Sequence, residues 1–88
     1  MAYKVVFKKT ARKELYKLDK QNYQKIRARI DNLARNPRPS NSRKLRTAAS
    51  LWRLRAGDYR VIYDIQDKKL VVLIVRVRHR SEIYKGLS

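Results

Sequence analysis

The sequence predicts an α+β domain, an antiparallel four-stranded sheet with two N-terminal helices packed on one face, in the order β-α-α-β-β-β. Three observations predict it. Between Leu51 and Tyr84, three apolar runs separated by two short turn-like breaks read as consecutive strands. Ahead of them, one short strand is followed by two stretches of helical periodicity. Arg53, Arg55, Arg60, Arg76, Arg78 and Arg80 are threaded through the late runs instead of lying in loops, where an uncommitted charge normally sits.

Tyr3 to Lys8 reads as the first strand, with Tyr3, Val5 and Phe7 on one face. Thr10 is placed to cap a helix from Ala11 to about Asp19, on which Ala11, Leu15 and Leu18 share a stripe. A longer helix spans about Gln21 to Arg35, with Tyr23, Ile26, Ile30, Leu33 and Ala34 inward and Lys25, Arg27, Arg29 and Asp31 outward. The run from Asn36 to Ser42 holds two prolines and breaks that helix into the main loop. Arg43-Lys44-Leu45-Arg46 after it is a basic clip, fit either for backbone contact or for solvent.

Strands are predicted at Leu51–Arg55, Asp58–Gln66 and Lys69–Arg78. Gly57-Asp58 suits a two-residue hairpin turn with glycine first. In that register Arg55 lies beside Arg60 and Arg53 beside Ile62, while Trp52, Leu54, Val61, Tyr63 and Ile65 form the core face. A three-residue loop at Asp67-Lys68-Lys69 would bring Val71, Leu73, Val75 and Val77 to that core face. Arg76 and Arg78 would then join Arg60 on the other. A slip of one residue would invert every side chain after the turn. The result is a greasy face under the helices and an open face rich in arginine.

With 88 residues the chain forms one domain, spanning 1–88, and one modest core. Lys and Arg number 24 against 7 Asp and Glu, a formal net charge of +17, which favours a polyanion or an acidic protein as partner. The absence of cysteine excludes disulfides, thiolate zinc sites and cysteine nucleophiles. The first residues carry no apolar signal core, and the longest apolar run, Leu70 to Val75, is too short to span a bilayer. A cytoplasmic protein without a membrane partner is expected.

Arginines on strands set cations at fixed separations, as phosphate recognition requires. Tyr59, Tyr63 and Tyr84 are candidates for stacking on unpaired bases, though the face assignment puts Tyr63 in the core. His79, between Arg78 and Arg80, has the chemistry of a proton donor or acceptor near neutral pH. Asp58 and Asp64 are isolated there, so the carboxylate cluster of a two-metal nuclease is missing. RNA is cleaved without metal when its own 2′-hydroxyl attacks the adjacent phosphate. The protein must then align the strand, stabilise added charge and manage two protons. Arginines serve the charge well and the protons poorly.

Lys44-Leu45-Arg46, Leu51-Trp52-Arg53-Leu54-Arg55, Gly57-Asp58-Tyr59-Arg60-Val61-Ile62-Tyr63 and His79-Arg80-Ser81-Glu82-Ile83-Tyr84 resemble the RelE/ParE superfamily of toxin–antitoxin toxins, on the RelE side. The resemblance covers essentially the whole chain and implies the compact RelE-like microbial ribonuclease fold. It implies a ribosome-dependent, cofactor-free endoribonuclease that cuts mRNA in the decoding site, leaves a 2′,3′-cyclic phosphate and halts translation. It also implies a cognate acidic antitoxin. Carried over by motif, Arg53 and Arg60 would hold the scissile phosphate and Tyr84 would stack on or orient the base. Either Arg78 or Arg80 would protonate the leaving oxygen. Lys44, Arg53 and His79 are candidate bases, and Lys44, Arg46, Arg55, Arg76 and His79 are expected to bind substrate. A ParE-like gyrase binder and a simple basic RNA-binding module are the rival readings.

Overall fold

β1 (Lys4–Phe7) runs almost directly into helix α1 (Lys9–Tyr16), because Lys8 N still donates to Ile74 O of the sheet at 2.9 Å. That bond fixes the helix entry, so α1 starts at Lys9 with no side-chain cap, and the expected Thr10 cap is instead a residue within the helix. Asp19 ends the connection and caps α2 (Lys20–Asn32), accepting from Asn22 N at 3.3 Å and Asn22 Nδ2 at 2.7 Å. The computed structural model describes residues 2–46 and 50–82. No helix in it is long and apolar enough to cross a membrane.

The expected antiparallel four-stranded sheet is a five-stranded mixed sheet, ordered β1-β5-β4-β3-β2. The extra strand is β2 (Ser42–Lys44), which pairs antiparallel with β3 (Leu51–Ala56) where a basic clip was expected. Three residues without apolar alternation give no strand signal, and their pairing is carried by the backbone. Such a short, charged strand suits a sheet edge. β1 lies parallel to β5 (Val71–His79), with Val5 opposite Val72 and Phe7 opposite Ile74. Alternation reports which face a residue takes, not which way its strand runs.

The β3–β4 hairpin takes the predicted register. Gly57 has φ +61°, and β4 (Tyr59–Gln66) sets Arg60 opposite Arg55 and Ile62 opposite Arg53. The β4–β5 connection departs from expectation twice. A 3-10 turn over Asp67–Lys69 extends to Leu70, which adopts the left-handed region at φ 54°, so Gln66 pairs with Val71. That extra residue puts Val72 and Ile74, not Val71 and Leu73, among the buried core residues. Then the register shifts between Ile62 and Tyr63, whose partners are Arg76 and Ile74, so Val75 stands unpaired as a β-bulge. The bulge restores the expected phase, with Val77 in the core and Arg76 and Arg78 on the open face.

Ala11 and Leu15 of α1, Ile26 and Ile30 of α2, and Leu33 pack on Leu54, Ala56, Val61, Tyr63, Val72, Ile74 and Val77 of the sheet. Tyr63 is fully buried, and its hydroxyl donates to Pro37 O at 2.7 Å, which pins the proline-rich loop to the sheet. Burial pushes the Tyr63 phenol above its ordinary value. Tyr63→Phe leaves the Pro37 carbonyl without this donor and is expected to cost about 1–2 kcal/mol in a urea melt, with an unchanged slope.

Arg38 of the same loop sends a fork to Asp67, Nη2 to Oδ2 at 2.8 Å and Nη1 to Oδ1 at 3.3 Å, and lies 5.4 Å from the Trp52 ring centroid. Tyr3 OH donates to Asp67 Oδ1 at 2.6 Å, completing a clamp that joins the residue ahead of β1, the loop and the β4–β5 turn. The Arg38 bonds, then the Tyr3 bond, hold the Asp67 carboxyl below the usual carboxylate range, and the Asp67 bond holds the Tyr3 phenol above its ordinary value. A carboxyl more acidic in the folded than in the unfolded chain stabilises above its unfolded-state pKa, and that contribution fades as pH falls through the folded one. The melting temperature of Asp67→Asn is therefore expected below wild type at pH 7, with the gap closing as pH falls below the ordinary carboxylate range and through the lowered folded-state value.

Candidate nucleic-acid interface

Strand pairing arranges the open face into two parallel rows. One runs Arg43, Arg53, Ile62, Arg76 across β2, β3, β4 and β5. The other runs Arg55, Arg60, Arg78 across β3, β4 and β5. Side chains along a row are about 5 Å apart at their origins and the rows are about 7 Å apart. Ile62 is fully buried although it lies on this face, flanked across the strands by Arg53 and Arg76. Arginine stems shelter apolar surface of this kind while their heads stay wet.

The heads are held in place. Arg60 Nη1 donates to Gly57 O at 2.8 Å and to Tyr59 O at 2.9 Å, which draws it toward the hairpin turn. Arg78 Nε donates to Glu14 Oε2 at 2.7 Å, and Arg76 Nε lies 3.6 Å from Glu14 Oε1. Glu14 is on α1, which runs beside β5 where β1 has ended. There the carboxylate also accepts from Val77 N at 2.9 Å, a donor with no strand partner on that side. Glu14 thus caps a sheet edge and gathers two arginines at once. Arg78 also donates from Nη1 to Glu82 O at 3.4 Å, so its guanidinium is held from both the Nε and the Nη side.

Arg80 follows β5 and packs at the hairpin turn, with its N bonded to Asp58 O at 2.7 Å and its Nε 3.9 Å from Asp58 Oδ1. Both side chains of that pair are about two-thirds exposed, so the pair holds Arg80 weakly.

Residues 5–84 match the family described as the ParE toxin of the type II toxin–antitoxin system parDE. The chain belongs to the RelE/ParE toxin family. Within it the similarities run to RelE. Toxin RelG of Mycobacterium tuberculosis is 35% identical over 86 residues, covering 97% of this chain and 99% of the relative. The mRNA interferase toxin RelE of Escherichia coli K12 is 33% identical over 88 residues, covering 96% and 92%. The toxin–antitoxin complex RelBE2 of M. tuberculosis superposes with a TM-score of 0.81 at 34% identity, over 92% of this chain and 94% of the other. The archaeal RelE–RelB complex of Pyrococcus horikoshii gives 0.80 at 34%, over 91% and 97%.

In this RelE-like toxin the fold brings together Arg53, Arg55, Arg60, Arg76 and Arg78, all five named from sequence. Others fall elsewhere. Lys44 is paired with Trp52 and so shares the helix side of the sheet, opposite Arg53. Arg46 lies beyond the end of β2. His79 is paired with Tyr59 on the helix side, their rings edge-on at 5.6 Å. Its Nδ1 accepts from Ser81 N at 3.2 Å and lies 2.9 Å from Ser81 Oγ. Tyr84 lies outside the described residues.

Arg43 was expected only as part of a basic clip, and Glu14 was not expected at the site at all. Arg43 belongs to the first row, but its face follows only from the β2 register, and β2 gave no strand signal. Glu14 lies 64 residues before Arg78, so no local pattern connects them. Its one signal was scarcity, as one of 7 acidic residues in the chain.

Proposed function

We propose that this RelE-like toxin is a ribosome-dependent mRNA endoribonuclease that cuts in the decoding site and so stops translation. The observation that carries the reading is Arg60, tied to two backbone carbonyls and set between Arg55 and Arg78 on a face open to a polyanion. A guanidinium fixed before substrate arrives stabilises developing phosphate charge without reorganising. The curated relative from E. coli named as an mRNA interferase supports the same reading.

In the proposed reaction the 2′-hydroxyl oxygen forms a bond to the adjacent phosphorus and loses its proton, while the bond from phosphorus to the 5′-oxygen breaks and that oxygen is protonated. The products are a 2′,3′-cyclic phosphate and a 5′-hydroxyl end. No metal or cofactor enters this scheme. Arg60 and Arg53 carry the phosphate, and Arg78, which shares a row with Arg60, is better placed than Arg80 to meet the leaving oxygen. Of the candidate bases, Lys44 and His79 lie on the other side of the sheet and Arg53 remains. A guanidinium is a poor proton acceptor, so alignment and charge stabilisation are the chain's principal contributions. Tyr84 is assigned the base.

The partner is a cognate antitoxin with an acidic segment. A net charge of +17 on 88 residues repels itself, and an acidic cover relieves that repulsion. The neighbouring solved complexes are toxins bound to RelB antitoxins. The deciding experiment maps 3′ ends on a message held in programmed ribosomes in magnesium buffer, with the purified toxin either untreated or stripped of metal by a chelator and desalted beforehand. Equal cutting in the decoding site by both preparations supports the reading. An intact message overturns it.

A further inference from the structure

A cleft of about 280 Å³ lies on the β2–β3 side of the arginine face, lined by Ser40, Asn41, Arg43, Arg53 and Arg55. Its wall is built from main chain. Arg55 N donates to Asn41 O at 3.1 Å, Asn41 Nδ2 returns a bond to Arg55 O at 2.9 Å, and Ser42 Oγ donates to Pro39 O at 2.7 Å. Arg43 and Arg53 form a direct cross-strand pair, and Arg55 sits two residues along from Arg53 on the same face. Three guanidinium stems thus rise around one fixed, polar-walled depression.

This cleft is separate from the Arg60–Arg78 cluster. The midlines of the β2–β3 and β4–β5 pairs are two strand spacings apart, about 10 Å. Arg78 is drawn further off by its bond to Glu14 at the outer edge of β5, and Arg60 is drawn to the hairpin carbonyls. One phosphate cannot sit against both Arg43 and Arg78, whereas successive phosphates of a single strand can occupy both places.

We propose that Arg43, with Arg53 and Arg55, forms a second phosphate seat that holds a flanking phosphate of the message, adjacent or next but one to the bond that is cut. The proposal rests on the endoribonuclease reading and adds a position in the substrate to it. The walls favour RNA over an acidic protein segment. Every lining side chain is polar or charged, and a folded peptide partner would need an apolar anchor that the cleft lacks. The seat acts on substrate capture: Arg53, which also reaches the reacting phosphate, stands between the two positions, and Arg43 lies a further strand away from Arg60 and Arg78.

The test compares wild type with Arg43→Gln on programmed ribosomes carrying synthetic messages, each with one flanking phosphate replaced by an uncharged methylphosphonate. Arg43→Gln is expected to raise KM about fivefold to tenfold on the all-phosphate message, with an unchanged thermal melt. Neutralising one particular flanking phosphate should weaken wild type by a similar factor and add less than about twofold to the variant. Penalties that multiply at every position, or a variant indistinguishable from wild type, overturn the seat. So does a variant whose only loss is affinity for the acidic antitoxin. A wild-type chain that cuts no message brings down the endoribonuclease reading itself, an outcome distinct from wild-type cleavage without coupling to Arg43.

Discussion

Arg60→Ala is expected to lower message cleavage on programmed ribosomes by about 10²–10³-fold, the range seen when one preorganised donor to a developing oxyanion is removed. The expectation follows from how Arg60 is held. Its two carbonyl anchors fix the guanidinium before substrate binds, so its loss removes aligned charge and not merely net charge. Arg60→Lys should recover little, because a lysine ammonium is a point charge without the planar fork. Neither change touches the core cluster, so both variants should melt within a few degrees of wild type. Growth arrest on expression should vanish with cleavage. If Arg60→Ala cut nothing yet still arrested growth, toxicity would lie elsewhere, as in a gyrase-binding protein.

Glu14→Ala carries the second large effect, and it is twofold. The Val77 amide loses its acceptor at a partly buried sheet edge, at a cost of about 1–3 kcal/mol. The carboxylate's pairs with Arg76 and Arg78, whose side chains are 27% and 29% exposed, contribute up to about 1 kcal/mol more after solvent screening. For a chain this short a loss of that size lowers the melting temperature by roughly 10 °C or more. Activity should fall as well, because the Nε bond to Glu14 aims Arg78. Glu14→Gln separates the two effects. Its amide oxygen can still accept from Val77, so most of the stability should return, while kcat should stay down about tenfold because the charge that gathers the arginines is gone. If Glu14→Gln matched wild type in kcat, the contact would be structural only.

The β3–β4 hairpin was legible in the sequence because its cause is local. Glycine at the first turn position permits φ +61°, that turn fixes the pairing, and the pairing fixes the faces of Arg53, Arg55 and Arg60. The faces of Arg76 and Arg78 were also anticipated, but for an incomplete reason. A turn one residue longer than expected inverted the start of β5, and the bulge at Val75 inverted it back. A leucine in the left-handed region and an unpaired valine have no signature in a run of six apolar residues. The parallel pairing of β1, the edge strand β2 and the Glu14 contacts all depend on residues far apart in the chain. Local periodicity carries no information on such contacts.

The hold on Arg60 has a consequence for how this toxin tolerates sequence drift. Its anchors are peptide oxygens, present whichever side chain stands at positions 57 and 59. Replacements in the turn therefore leave them in place so long as the backbone keeps its path, and only a residue that resists the left-handed bend at Gly57 disturbs them. The guanidinium assigned the heaviest chemical duty is thus secured by the atoms least exposed to mutation.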